Sequence, residues 1–405
     1  MAQQAEKIIS GASAPAASSS AARRIARSPL DRDAWCVFGA PIDLATIDAA
    51  IAEIDDAVTA RRRLSFVTPN VNWLVRAAAS EAARREIRDA DLSLADGAPV
   101  ALMARLLGAP LAGRVAGADL FETLRRRPGF AGQRAIRVYF FGGRDGAAEA
   151  AAEALGQAGS ALTSAGWMNP GFGDLESMSA PAVIDAINAA KPDFVVVALG
   201  AAKGQAWIDR NQDRLEAPVI AHLGAVVDFT GGAIRRAPKL LQRMHLEWAW
   251  RIKEEPALWR RYARDGAMLS RLLITRLAPS LFALSTQKSS GDARAARDAS
   301  RHGAALRLAG DHRHGGLGAA RAAFKDALEE DGDIVLDCEG LGRVDMAFVG
   351  LLVLFERELA RRGRRLLVAK ISKTHHRLLA LNDVDFADAP ERSDDAETTG
   401  RSHAA

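Results

Sequence analysis

From Trp35 to about Val227, short apolar runs alternate with helical patterns. Leu64-Ser65-Phe66-Val67 and Ile136 to Phe141 read as strands. Phe194 to Leu199 is continuous and β-branched, as expected of a strand covered on both faces, and Pro218 to Leu223 is another such run. Between them lie alanine-rich helical stretches at Ala45 to Val58, Ala98 to Leu107, Gly146 to Leu155 and Ala180 to Ala190. Strand–helix alternation with short Gly-containing turns predicts an α/β domain on a mainly parallel sheet. Ligands of such sheets bind at the carboxyl ends of the strands.

The pattern changes after Thr230. Arg235 to Arg276 reads as two helices broken near Glu255-Pro256, with eleven basic residues against four acidic ones. Trp248, Trp250, Trp259 and Tyr262 are interleaved among the bases. A polar linker is expected over 285–302. The last unit, from about Ala304, reads as a compact β-α-β-α module: strand Ile334-Val335-Leu336, apolar helix Phe348 to Leu359, strand Arg365 to Ala369 and a short helical segment His375 to Leu381. Residues 1–33 and 389–405 are expected to be disordered tails.

Composition narrows the class. With 49% hydrophobic and 26% charged residues the chain is globular rather than disordered. The net charge is only +4, so the basic stretch has to be weighed locally. From Cys36 and Cys338, roughly 300 residues apart, no metal-ligand spacing and no disulfide framework can be read. No apolar run approaches the roughly 20 residues that span a bilayer. The histidines offer no convincing metal partner. His222 ends an apolar strand and reads as structural or ligand-lining, while His312, His314, His375 and His376 lie in loops or polar segments. No metal and no cofactor is expected.

Three clusters fall at strand ends. Thr68-Pro69-Asn70 can orient a sugar or a base, or simply turn around Pro69. Asp96, before Gly97 and a helix, can serve as a base in a cleft or as a helix N-cap. Gly142-Gly143 opens a helix, where backbone can approach a phosphate or merely turn tightly. The spacing Gly142-Gly143-x-x-Gly146 lacks the full dinucleotide fingerprint.

In this order the clusters resemble the WecG/TagA/CpsF family of bacterial glycosyltransferases, from about Phe38 to about Arg264. The matching blocks are Ala90 to Gly97, Arg114-Val115-Ala116-Gly117-Ala118-Asp119-Leu120, Phe140-Phe141-Gly142-Gly143, Val227-Asp228-Phe229-Thr230-Gly231 with Arg236-Ala237-Pro238, and Leu246-Glu247-Trp248 through Arg260-Arg261-Tyr262. The resemblance implies a Rossmann-like, mainly parallel α/β sheet over 34–284 with a helical C-terminal appendage at 235–276. It implies an inverting transferase that moves a sugar, N-acetylmannosamine or a related hexose, from a UDP-sugar to an undecaprenyl-diphosphate-linked acceptor in exopolysaccharide or cell-surface glycan assembly. Asp96 becomes the general base. Thr68, Asn70, Arg114, Asp119, Gly142, Gly143, Gly200, Lys203, Gln205, Asp228, Arg236, Arg251 and Arg261 become substrate-binding residues, the last three facing the diphosphate. The appendage would lie on the inner face of the cell membrane, which makes the protein cytoplasmic and peripheral; interspersed acids and the absence of a binding motif argue against nucleic acid.

The family usually reads Gly-x-Pro-Lys-Gln-Glu beside the nucleotide-sugar pocket. Here Gly200-Ala201-Ala202-Lys203-Gly204-Gln205 stands instead. Gln205 would substitute only if the loop shifts by one residue. The departure opens an alternative, a non-catalytic UDP- or lipid-binding protein that signals through its C-terminal module. That module, 303–388, resembles a STAS domain through Asp333 to Leu341 and Val344-Asp345-Met346-Ala347-Phe348 to Leu352. Met346 and Ala347 replace the phosphorylatable serine, so a phosphorylation switch is not expected, and Asp345 caps the helix. The module would dock a protein partner or oligomerise.

Overall fold

A computed structural model describes residues 28–127, 134–155, 160–171, 173–244, 246–300, 303–384 and 386–388. The expected tails fall outside these, apart from residues 28–33. There the turn Pro29–Asp31 buries Leu30, so order begins earlier than the sequence reading set it.

The chain opens with a hairpin, β1 (Ala34–Val37) and β2 (Ala40–Asp43). Then follow α1 (Ile47–Ala60), β3 (Leu64–Val67), α2 (Val71–Ala79), α3 (Glu81–Arg88), β4 (Leu92–Ser93), α4 (Ala98–Leu106) and α5 (Gly117–Arg126). The alternation continues through β5 (Ile136–Gly142), α6 (Ala147–Leu155), β6 (Leu162–Met168), α7 (Pro181–Ala189), β7 (Phe194–Ala198), α8 (Ala201–Asn211), β8 (Val219–His222) and α9 (Gly224–Thr230). Strands β3 to β8 form a six-stranded sheet of order β4-β3-β8-β7-β5-β6, parallel throughout. Phe66, Phe140, Phe194 and Val196 fill one of its faces with α1, α5 and α6; Phe141, Val195, Val197 and Trp207 fill the other with α7 and α8. Two-sided burial is why β7 shows no polar alternation.

The appendage holds three helical parts rather than two: α10 (Lys239–Arg243), α11 (Glu247–Glu254) and, past the break at Glu255-Pro256, α12 (Trp259–Leu272), which runs through a π-helical turn at Leu273–Leu277 into α13 (Ala278–Ser285). Residues 256–285 form one 30-residue helix, long and apolar enough by length and composition to cross a membrane. Arg271 and Arg276 interrupt its apolar residues, so no apolar run of that length shows in the sequence. Here Arg276 pairs with Asp383, and Leu272, Leu277 and Ala283 are buried against the rest of the protein.

The last unit is a five-stranded sheet of order β13-β12-β11-β10-β9, made of β9 (Arg294–Ser300), β10 (Gly303–His312), β11 (Ile334–Val344), β12 (Leu366–Ala369) and β13 (Ala387–Asp388). Its helices are α14 (Gly318–Leu328), α15 (Met346–Arg361) and α16 (Lys373–Leu381). The sequence reading placed β9 in a linker. Arg294–Ser300 contains no β-branched residue, and it becomes a strand by antiparallel backbone pairing with β10 at the sheet edge. Asp345 caps α15, accepting from the amides of Ala347 and Phe348.

The two units share one apolar cluster. Helix α15 is buried along most of its length, between its own sheet and the hairpin. A Cβ added at Gly350 would stand 3.0 Å from the carbonyl carbon of Ala34 and closer to its oxygen, so only glycine admits this approach. Around the seam, Arg357 donates to the carbonyls of Asp89 and Ala90 (3.0 and 3.2 Å), and Arg88 to those of Gly39 and Asp383 (2.9 and 2.7 Å). The Asp383 carboxylate accepts from Arg84 on α3 and Arg276 on the long helix, tying three parts together. The side chains of Arg84 and Asp383 are only 11% and 19% exposed, so removing the carboxylate strands two cations. Asp383→Ala is expected to cost roughly 2–4 kcal/mol, read as a lower denaturant midpoint; an unchanged midpoint would refute the role of this clamp.

Candidate active site

A cleft of about 360 Å³ opens at the carboxyl ends of β3, β4 and β8, under the appendage. Polar side chains reach it from the ends of all three strands. Thr68 follows β3, and Asn70 caps α2 by accepting from the amides of Asn72 and Trp73 (3.1 and 3.4 Å). His222 ends β8. Asp96 follows β4, its amide donating to the Pro69 carbonyl at 3.0 Å, so the first two loops are laced together.

The N-cap of α4 is Gly97, at φ +88°, and no side chain caps that helix. The Asp96 carboxylate is therefore spent on no helix terminus and faces the cleft. Burial pushes its pKa up to about 7; Arg114 opposes the shift, while Glu247 and Asp119 add to it. A carboxyl group poised there can exchange a proton near neutral pH.

The roof is fixed by charge. Arg114 donates to Glu247 on α11 at 2.6 Å and lies 3.7 Å from Asp119 on α5; Arg236 pairs with Asp119 and lies 3.8 Å from Glu247. This ring of two cations and two anions joins the sheet domain to the appendage. A second joint runs through Arg144 and Arg251, which both donate to Glu255, with Arg144 also 3.9 Å from Asp228. A third is the bond from Asn72 Nδ2 to Asp265 Oδ2, 2.9 Å, between α2 and α12. Arg251 also lies over the Phe229 ring, 5.6 Å from its centre, and Arg261 over Tyr262 at 5.3 Å.

Thr68, Asn70, Asp96, Arg236, Arg251 and Arg261 thus line one cleft. Arg114 and Asp119 belong to its charge ring. The other expected residues lie outside its walls. Gly142 and Gly143 turn tightly where β5 meets β7, with the Gly143 amide donating to the Ala198 carbonyl at 2.8 Å. Asp228 is half-buried beside Arg144, and burial raises its pKa. Gly200 begins α8, and Lys203 donates to the carbonyl of Gly173 at 3.1 Å. Gln205 is buried and donates to Asp209 Oδ1 at 2.9 Å, so it does not take over a cleft position by a shifted loop.

Sequence reasoning did not single out Trp73, Phe229, Glu247 or Tyr262 as site residues, nor His222 beyond a ligand-lining role. Glu247 carried a signal, since it sits in a quoted block and is an acid in a basic segment. No group of three or more His, Cys, Asp or Glu that could hold a metal ion occurs among the described residues.

The chain is similar to curated bacterial transferases. It is 33% identical over 175 residues to an N-acetylglucosaminyldiphosphoundecaprenol N-acetyl-beta-D-mannosaminyltransferase of Bacillus spizizenii, a match covering 43% of this chain and 65% of that protein. A protein of the same name from Staphylococcus aureus strain MW2 is 28% identical over 201 residues, covering 50% of this chain and 75% of the relative. A solved structure described as "crystal structure of SsGBP and GDP complex" aligns at 13% identity over 61% of this chain and 87% of that one, with a TM-score of 0.19, too low to bear on fold or function. Residues 295–386 match the model described as "Mlab, STAS domain", so the C-terminal sheet is a STAS domain. Residues 35–281, the sheet domain with its appendage, match the glycosyl transferase WecG/TagA/CpsF family model, and the chain belongs to that family.

Proposed function

We propose that this protein is an inverting glycosyltransferase that moves a hexose or N-acetylhexosamine from a UDP-sugar onto a sugar carried by a polyprenyl diphosphate, in the assembly of an exopolysaccharide or other surface glycan. The relatives named for transfer to N-acetylglucosaminyl-diphosphoundecaprenol support the acceptor class. The observation that carries the mechanism is a carboxyl group that titrates near 7 in a cleft roofed by arginines.

In this reading the Asp96 carboxylate takes the proton from the acceptor hydroxyl as that oxygen bonds to the anomeric carbon. The bond from that carbon to the diphosphate breaks on the opposite face, and UDP departs with the electron pair. Arg236, Arg251 and Arg261 balance the charge that develops, a preorganised electrostatic contribution. Thr68 and Asn70 orient the reacting sugars. The charge ring holds the roof closed, so Asp96 stays dehydrated and basic.

The appendage and α13 also supply a surface for lipid. Leu240, Met244, Trp248, Trp259, Ile274 and Phe282 are all at least half exposed. Exposed Arg260 and Arg264 lie on the same long helix as Trp259, Ile274 and Phe282. Apolar and aromatic side chains set among arginines fit the inner leaflet of a membrane, the location proposed for the protein.

The direct test is transfer of radiolabelled sugar from several UDP-sugars to a short-chain polyprenyl-diphosphate-linked sugar. Wild type is expected to transfer, and Asp96→Asn to lose roughly 10²- to 10⁴-fold in rate. UDP binding without transfer to any acceptor would favour the non-catalytic alternative, for which Gly204-Gln205 is the specific observation. Because the base acts deprotonated, the rate should fall as pH drops through about 7. Glu247→Gln removes a charge that raises the Asp96 pKa and frees Arg114 to lower it, so the acidic limb should move to lower pH; an unmoved limb would sever Glu247 from the base. Arg260→Glu with Arg264→Glu should weaken partition onto anionic vesicles by at least thirtyfold, taking roughly 1 kcal/mol per base removed, and equal partition would place the lipid contact elsewhere.

A further inference from the structure

The family's motif and this chain part at position 204, and the structure shows what stands there. The imidazole of His222 lies against the bare Cα of Gly204. A Cβ added at 204 would stand 2.9 Å from Nε2 and closer still to Cδ2, so the ring as placed and any side chain at 204 exclude each other. Gly224 borders the other edge, where a Cβ would stand 3.6 Å from Nε2. The Trp73 indole forms the next wall, its centre 6.3 Å from the imidazole. Two glycines and an indole thus make a slot for one ring. Among the described residues neither nitrogen of that ring has a hydrogen-bond partner, and Nε2 is buried.

Its position limits what it can contact. Strands β4, β3 and β8 are neighbours in the sheet, so Asp96, Thr68 and His222 emerge in a row. Adjacent strands lie about 4.8 Å apart, which sets His222 two strands from Asp96, a span that one hexose with its substituents bridges. The cations that suit a diphosphate, Arg236, Arg251 and Arg261, come from the appendage instead. Burial, with Arg76 adding to it, depresses the His222 pKa to about 4, so the ring is neutral at physiological pH and offers a diphosphate no charge. A neutral imidazole carries one donor and one acceptor, which suits a hydroxyl or an amide.

We infer that His222 is a specificity-determining residue of the cleft: it occupies the place of the side chain missing at 204 and hydrogen-bonds an uncharged substituent, hydroxyl or acylamino, of the bound donor sugar. This rests on the transferase reading above. It makes Gly204 the residue that admits a different recognition group, rather than a scar of lost activity.

The experiment is transfer kinetics on the full chain with UDP-hexose and UDP-N-acetylhexosamine donors that differ at single ring positions. The variants are His222→Ala, His222→Gln, Gly204→Ala and the double Gly204→Ala/His222→Ala. In His222→Ala the ratio of kcat/KM between the best donor and its analogue altered at the contacted position should fall about tenfold, the worth of one hydrogen bond to a neutral group. His222→Gln, which keeps a donor and an acceptor, should retain more of that ratio. Gly204→Ala should displace the ring and reproduce the loss, and the double should be no worse than either single, because both remove one contact. Gly204→Ala also carries the test if the His222 variants fail to fold. Uniform slowing of all donors with the ratio intact would make His222 a packing residue and overturn the inference, as would additive losses in the double. Wild type that transfers no sugar from any donor would overturn the transferase reading itself, an outcome separate from active wild type with unaltered selectivity in the variants.

Discussion

Everything at the cleft depends on the four-charge ring of Arg114, Asp119, Arg236 and Glu247. A parallel sheet by itself presents strand-end loops to water, and a carboxylate there would titrate near 4. The ring brings Glu247 down from the appendage onto the sheet domain, and the roof that arrives with it removes water from Asp96. With side chains 17–28% exposed, these pairs add little net stability once desolvation is counted. Their consequence is geometric: reciprocal pairing across two segments admits one seating of the roof. The joint through Arg144, Arg251 and Glu255 repeats the device between the sheet domain and the appendage, and Asn72 with Asp265 anchors the long helix to α2.

The same helix links the cleft to the STAS domain. Its first half carries Arg261 and Tyr262 into the roof, and its second half carries Arg276 to Asp383. Asp383 also holds Arg84 on α3. Helix α15 is covered by the chain's own hairpin as well as by its own sheet. Its apolar face is satisfied within the chain, which joins the STAS domain to the hairpin. Asp345 has a structural duty in this arrangement, the N-cap of α15, and needs no phosphate chemistry to account for it.

Much of this was legible because parallel β/α order constrains so strongly. Continuous apolar runs such as Phe194 to Leu199 mark central strands, and their ends must share one sheet edge; Thr68, Asn70 and Asp96 could therefore be gathered from sequence alone. Contacts that depend on the third dimension were not legible. Arg294–Ser300 is a strand only because β10 offers it an edge. The 256–285 helix hides behind Arg271 and Arg276, since a pattern of apolar runs does not know that Asp383 neutralises one of them. The seam at Gly350 and Ala34 joins residues over 300 positions apart, and no local periodicity encodes it.

Position 204 shows how such a contact changes the meaning of a motif. Read along the chain, Gly204 is a deletion of a side chain from a binding loop. Read across the fold, it is half of an exchange: the loop on α8 gives up volume, and the end of β8 supplies a ring that uses it. A helix-interior glycine costs roughly 1 kcal/mol relative to alanine. Alanine would recover that energy only by displacing the His222 ring. Glycine stands where a methyl group would collide with the His222 ring, so the departure from the family motif has a cause in the packing of the cleft wall and is no sign by itself of lost activity.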